Sequence, residues 1–262
     1  MQPALIFDIE TVPDLAGARR VFGLENLSDE DTLQAINLKR RIESGGEFQK
    51  HFLHQIVAIS AVMKTGDSVK IWSIGDVDSD EKTLIERFFE GIERFKPTLV
   101  SWNGGGFDLP VLHYRALLHG ISARSYWDMG DFDRERKWNN YISRFQFAHI
   151  DLMDVMAGYQ PRAVAKLDEI AQLLGLPGKM GLSGAGVLDQ YLAGDIKGIR
   201  DYCELDVINT YLVYLRFQLM RGWFTPVQYQ QACDELAQVL LNPNQPHWQA
   251  YHQAWLGSNS DN

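Results

Sequence analysis

The chain has 262 residues, of which 45% are hydrophobic and 23% charged, enough apolar material for a full core and a composition that argues against disorder. Its apolar stretches are short or broken by charge, below the roughly 18–20 uninterrupted residues of a spanning helix, and the N-terminus lacks the basic region and long apolar core of a signal peptide, so no membrane association and a cytoplasmic location are expected. A net charge of −9 argues against a protein that coats nucleic acid by charge alone, although an acid excess also suits a cation site, and the widely separated Cys203 and Cys233 argue against a disulfide scaffold or a thiolate zinc site.

Residues 4–10, Ala-Leu-Ile-Phe-Asp-Ile-Glu, form a short run of strand formers closed off by Pro13 and Asp14, and read as a buried strand ending in acids. Residues 15–49 are polar, with Leu33, Ile36 and Ile42 at helical spacing before the break at Gly45-Gly46; they read as an insertion or lid. Residues 55–63 and 68–74 are strand-like and joined by Thr65-Gly66-Asp67, a hairpin signal. Leu84, Ile85, Phe88, Phe89 and Ile92 mark a helix over 80–95, stopped by Pro97 before a strand over 98–102. After Asn103-Gly104-Gly105-Gly106 a helix starts near Asp108, with Pro110 in its first turn and Gly120 at its end. Residues 149–156 read as a last strand, and 166–174, 187–192, 196–220 and 226–241 as helices, with 256–262 a frayed tail. The order predicts an α/β fold, a ribonuclease H-like mixed sheet flanked by helices. One domain is expected over 1–241, with 15–50 as the insertion or lid, followed by a C-terminal extension over 242–262 whose end is disordered. Basic residues group at Lys39-Arg40-Arg41 and over Arg134–Lys137, followed by Trp138, Tyr141 and Arg144; these are either phosphate contacts or solvated helix faces.

Residues two apart on a strand share a face, so Asp8 and Glu10 point together while Phe7 and Ile9 point away. Such a pair needs a cation or a proton when buried, but a strand that simply ends in solvent shows the same pattern. Asp108, following the triple glycine, is either a functional acid or a helix cap, and the glycines fit neither the dinucleotide fingerprint nor the phosphate loop. Tyr202 and Asp206 are four apart on a predicted helix and share a face; read alone, the tyrosine is equally a structural one. Taken together, four acids converging from three separate elements are what phosphodiester hydrolysis by two divalent ions requires, because Mg²⁺ and Mn²⁺ roughly 3.5–4 Å apart need hard oxygen ligands.

Phe7-Asp8-Ile9-Glu10-Thr11, Asn103-Gly104-Gly105-Gly106-Phe107-Asp108 and Tyr202-Cys203-Glu204-Leu205-Asp206 resemble, in this order, the three motifs of the tyrosine-containing branch of the DEDD exonucleases. More closely, the sequence resembles stand-alone bacterial proteins related to the proofreading domain of family B DNA polymerases. The resemblance implies a 3′-5′ exonuclease acting on single-stranded 3′ ends, DNA favoured, and releasing nucleoside 5′-monophosphates. It implies that Asp8, Glu10, Asp108 and Asp206 bind two divalent ions, Mg²⁺ or Mn²⁺, and that Tyr202 positions the attacking water. By the same resemblance Thr11, Asn103 and Phe107 contact the terminal nucleotides. Lys179, in a glycine-flanked loop, is a further candidate for a phosphate contact, and Asp151 is expected to play a supporting part rather than to ligate. An exoribonuclease with the same acids, a catalytically silent nucleic-acid-binding module and an unrelated metal phosphoesterase are the competing readings.

Overall fold

The computed structural model describes residues 3–66, 68–181 and 184–259. Its centre is a five-stranded sheet of order β3-β2-β1-β4-β5, formed by β1 (Ala4–Pro13), β2 (His54–Thr65), β3 (Ser68–Ser73), β4 (Thr98–Ser101) and β5 (His149–Asp151). The β1–β2 and β2–β3 pairs are antiparallel, whereas β1–β4 and β4–β5 are parallel, so the sheet is mixed as the sequence predicts. The apex residue Asp67 of the predicted hairpin lies outside the described residues.

The alternation along β1 distributes its side chains between two cores. Leu5, Phe7 and Ile9 pack against Leu84, Ile85, Phe88 and Phe89 of α3 (Glu81–Phe95) and Leu109 and Leu112 of α4 (Asp108–His119). On the opposite face Ile6, Val62, Val100 and Ile150 meet Val207, Ile208, Tyr211 and Leu215 of α9 (Ile196–Met220), backed by α10 (Pro226–Leu240) and α11 (Pro246–Asn259). Asp8 and Glu10 continue the Ile6 face and therefore point toward α9. At Glu10/Thr11 the register with β2 shifts, Glu10 pairing with Ala58 and Thr11 with Ile56, a bulge that bends the strand just past the two acids.

Short helices complete the layers: α1 (Leu15–Phe22), α2 (Asp29–Ser44), α5 (Arg124–Trp127), α6 (Leu152–Met156), α7 (Leu167–Leu173) and α8 (Val187–Leu192). Two expectations need correction here. The strand foreseen over 149–156 ends at Asp151, because the Asp151 carboxylate accepts from the backbone of Met153 and Asp154 and starts α6 there. In the insertion, Leu33, Ile36 and Ile42 fall on α2, capped by Ser28, as their spacing predicts, and α1, closed by Gly23 in the left-handed region, precedes it. The frayed tail foreseen over 256–262 is helical as far as Asn259, the end of α11, whose earlier Trp248, Tyr251 and Trp255 are buried in the α9 core, while residues 260–262 lie outside the described residues. Among the described residues no helix is long and apolar enough to cross a membrane.

Candidate active site

Three elements bring the predicted acids to one place. β1 supplies Asp8 and Glu10, α4 supplies Asp108 from its first position, and the middle of α9 supplies Asp206. The Asp108 carboxylate accepts a hydrogen bond of 3.1 Å from the Ile9 backbone N–H, between the two β1 acids. Glu10, Asp108 and Asp206 are all at least nine-tenths buried. A buried clamp holds α4 in register: the Arg115 guanidinium bonds both carboxylate oxygens of Glu81 at the start of α3 and the carboxylate of Asp14 just past β1. Such fork geometry fixes orientation as well as distance.

The electrostatics follow from crowding. Burial, then the neighbouring Asp108, Glu10 and Asp206 charges, raise the Asp8 carboxyl well above the ordinary carboxylate range. Burial, then Asp206 and Asp108, do the same to Glu10. Burial pushes Asp108 up to about 7 against the hydrogen bonds it accepts, and it also raises Asp206. Opposing this, the Lys179 ammonium lowers Asp8, Glu10 and Asp206, and it lies 5.6 Å from the centre of the Tyr202 ring. The Lys179 loop is held by its own backbone N–H, which donates to Asp168 at 2.7 Å, and by Asn209 of α9, which donates to the Gly178 carbonyl at 3.0 Å. Tyr202 lies one turn before Asp206; burial, then the Asp206 charge, raises its phenol above the ordinary value, so it stays protonated.

The turn after β4 is built by close approach. A Cβ at Gly104 would fall 2.3 Å from the Ser101 hydroxyl, and one at Gly106 would fall 2.4 Å from the Asn103 side-chain oxygen. Asn103 itself adopts a left-handed φ of 65°, a conformation asparagine tolerates better than most residues. Asp151 organises this turn: its carboxylate accepts from the backbone N–H groups of Asn103 and Gly105, each at 2.9 Å. Phe107 precedes α4 and packs on the rings of His54 and Phe48, and the Thr11 hydroxyl bonds His54 Nδ1 at 2.9 Å.

One residue of the cluster escaped the sequence reading. Cys203 Sγ lies with the Asp8 and Glu10 carboxylates in a group whose ligand atoms are all within 4.8 Å of one another. Burial, then the Asp8 charge, raises its thiol well above the ordinary value, so the neutral S–H donates to the Asp8 carbonyl at 3.5 Å rather than offering a thiolate. The signal was present, since Cys203 stands three residues before Asp206 and so shares its helical face.

The fold and the cluster define a ribonuclease H-like domain with a group of carboxylates where β1, α4 and α9 meet. A family model described as "Predicted 3′-5′ exonuclease related to the exonuclease domain of PolB" matches residues 46–255, which takes in Asp108, Tyr202 and Asp206. The chain belongs to that family. It is 25% identical over 150 residues to the catalytic subunit of DNA polymerase epsilon from Saccharomyces cerevisiae, and 28% identical over 145 residues to that from Dictyostelium discoideum. Each alignment covers 53% of this chain but only 6% of the polymerase. Among solved structures, the family B DNA polymerase of the hyperthermophilic archaeon Pyrobaculum calidifontis shares the fold, with a TM-score of 0.50 and 18% identity over 92% of this chain and 28% of that one.

Proposed function

We propose that this chain hydrolyses the last phosphodiester bond at single-stranded 3′ ends, DNA favoured over RNA, releasing nucleoside 5′-monophosphates. The observation that carries this reading is the convergence of four carboxylates, three of them deeply buried, whose mutual repulsion only cations or protons relieve. Carboxylate oxygens are the donors that Mg²⁺ and Mn²⁺ select. Asp8, Glu10, Asp108 and Asp206 would hold two such ions, which when bound supply positive charge at the leaving 3′ oxygen and acidify the attacking water.

The remaining work belongs to the chain. The Tyr202 hydroxyl, kept protonated one turn from Asp206, orients the water as a hydrogen-bonding group and does not act as a base. Lys179 supplies the countercharge for a phosphate. Thr11, Asn103 and Phe107 line the path of the terminal nucleotides, and Asp151 keeps the Asn103 turn in shape through the loop backbone. Digestion of 5′- and 3′-labelled single-stranded DNA and RNA with Mg²⁺, Mn²⁺ or chelator, beside the Asp8→Ala protein, tests the reading. Metal-dependent shortening from the 3′ end that disappears in the variant is the expected result. Intact strands under every condition would leave a silent binding module as the better account.

A further inference from the structure

From α11, near the C-terminus, a buried polar chain leads to the loop that carries Lys179. It runs through Asn209, which follows Asp206 by three residues on α9 and so shares its face. The Tyr251 hydroxyl of α11, completely buried, donates to Asn209 Oδ1 at 2.7 Å. The Asn209 amide nitrogen donates in turn to the Gly178 carbonyl at 3.0 Å and to the Leu205 carbonyl, one turn back, at 3.2 Å. Both amide hydrogens and the amide oxygen are thereby used, beside Ile208 and Leu212 of the apolar core. A buried amide of this kind adds little net stability over an apolar side chain of similar volume, because each bond it makes replaces one made with water. What it adds is direction, since the Gly178 carbonyl must stand where the amide points.

The same loop is anchored a second time on α7. The Lys179 backbone N–H donates to Asp168 at 2.7 Å, and the other Asp168 oxygen accepts from Gln172 at 2.9 Å. Gly178 has a left-handed φ of 65°, and a Cβ there would fall 2.4 Å from the Asp168 carboxylate, so the backbone approaches α7 as closely as only glycine allows. Held by both anchors, the loop brings the Lys179 ammonium to 5.6 Å from the centre of the Tyr202 ring.

Resting on the exonuclease reading, we propose that Tyr251 and Asn209 are positioning residues that hold the Gly178 carbonyl, and through it keep Lys179 at the site as countercharge for the phosphate. The C-terminal helix then takes part in the reaction without touching the substrate.

Two variants break the chain differently. Tyr251→Phe removes the hydroxyl and strands the Asn209 oxygen, whereas Asn209→Leu/Tyr251→Phe removes the polar chain whole and leaves apolar groups in its place. Tyr211→Phe is the control, because its hydroxyl is buried in the same core with no hydrogen-bond partner among the described residues. Each is compared with wild type and Lys179→Met in single-turnover cleavage of a labelled single strand with Mn²⁺. Amide hydrogen exchange over residues 175–181, read by mass spectrometry, reports the loop directly. Lys179→Met should cleave about a hundredfold more slowly than wild type, the Asn209→Leu/Tyr251→Phe protein should fall to the same level, and Tyr251→Phe should lose about tenfold. Neither change should slow Lys179→Met further, since both act through that side chain. Exchange over 175–181 should accelerate about fivefold or more in both chain variants, with α9 exchanging as in wild type, and Tyr211→Phe should move neither readout. Losses that add to that of Lys179→Met, unchanged exchange over 175–181, or an equal loss in Tyr211→Phe would overturn the proposal. The exonuclease reading fails separately: if wild type leaves every strand intact, exchange alone decides, local acceleration upholding the hold on Lys179 and its absence overturning it.

Discussion

Asp206 enters a site where Asp8 and Glu10 feel its charge as repulsion, and where Tyr202 and Lys179 are the groups that favour its ionised form. Replacing it by asparagine keeps the shape, removes one charge and, on the proposed function, removes one hard ligand. The two consequences have opposite signs. Cleavage by Asp206→Asn should fall by about a thousandfold, since a lost ion contributes several kcal/mol at the transition state. The chelated variant should melt above chelated wild type by roughly 2–4 °C, as expected for about 1 kcal/mol of relieved repulsion in a chain of this size. Thermal melts in chelator and single-turnover digestion check both halves, and a variant that melts lower and cleaves normally would show that Asp206 is merely structural. Tyr202→Phe keeps the ring and loses the hydroxyl, so its rate should drop by about a hundredfold while metal-induced stabilisation stays as in wild type. A calorimetric metal titration beside the kinetics separates the two effects.

At the scale of elements, the proposed function requires α9 to hold Tyr202 and Asp206 beside β1, and Glu204 between them ties that helix to β3 and α11. Its buried carboxylate accepts from Ser73 of β3 at 2.7 Å, from His247 at 2.8 Å and from the Trp248 indole of α11 at 2.9 Å. Burial works against the ionised carboxylate, but these bonds prevail and hold it below its ordinary value. Glu204→Ala would strand the indole N–H and the imidazole, costing about 3 kcal/mol, and the melting temperature should fall by roughly 6–12 °C. Urea denaturation with and without the C-terminal Trp248→Phe change locates the loss, and additive effects would mean that the two side chains are not coupled. Wherever the local pattern was self-sufficient, the sequence was readable. Strand alternation put Asp8 and Glu10 on one face, and the four-residue spacing put Tyr202 over Asp206. Where a side chain, near or far along the chain, turned onto the backbone it was not. The β5/α6 boundary depends on the Asp151 carboxylate turning to the chain that follows it, and the triple glycine reflects Ser101 and Asn103 approaching the backbone, neither of which has a sequence period. The approach of Lys179 to the site rests on Asp168 and Asn209, which are 11 and 30 positions away in the chain.

For the whole molecule, two sets of buried groups pull stability in opposite directions with pH. Burial pushes His113 and His149 down to about 4 and also lowers His54, so the unfolded chain binds more protons than the folded one below the ordinary histidine value of 6.5. Their contribution to stability therefore rises with pH up to about 6.5 and is constant above it. The site acids behave in reverse. Asp108 titrates near 7 when folded and near 3.8 when unfolded, so the folded form holds the extra proton and stability falls as pH climbs through that window. Asp8 and Glu10, raised well above their ordinary values, lose stability in the same direction. Below 6.5 the two sets offset each other; above it only the acids still titrate. Chelated protein should accordingly melt lower at pH 8 than at pH 6.5. Saturating Mn²⁺ should flatten that decline, because cations replace the protons as the compensating charge and binding to the folded state adds its own stabilisation. The gap between metal-loaded and chelated melting temperatures should widen across the same interval, and it should shrink in Asp206→Asn, which has one charge fewer to compensate. Parallel pH-dependent melts with Mn²⁺ and with chelator measure it, and a chelated protein that gains stability between pH 6.5 and 8 would mean that the acids do not repel one another as their packing requires.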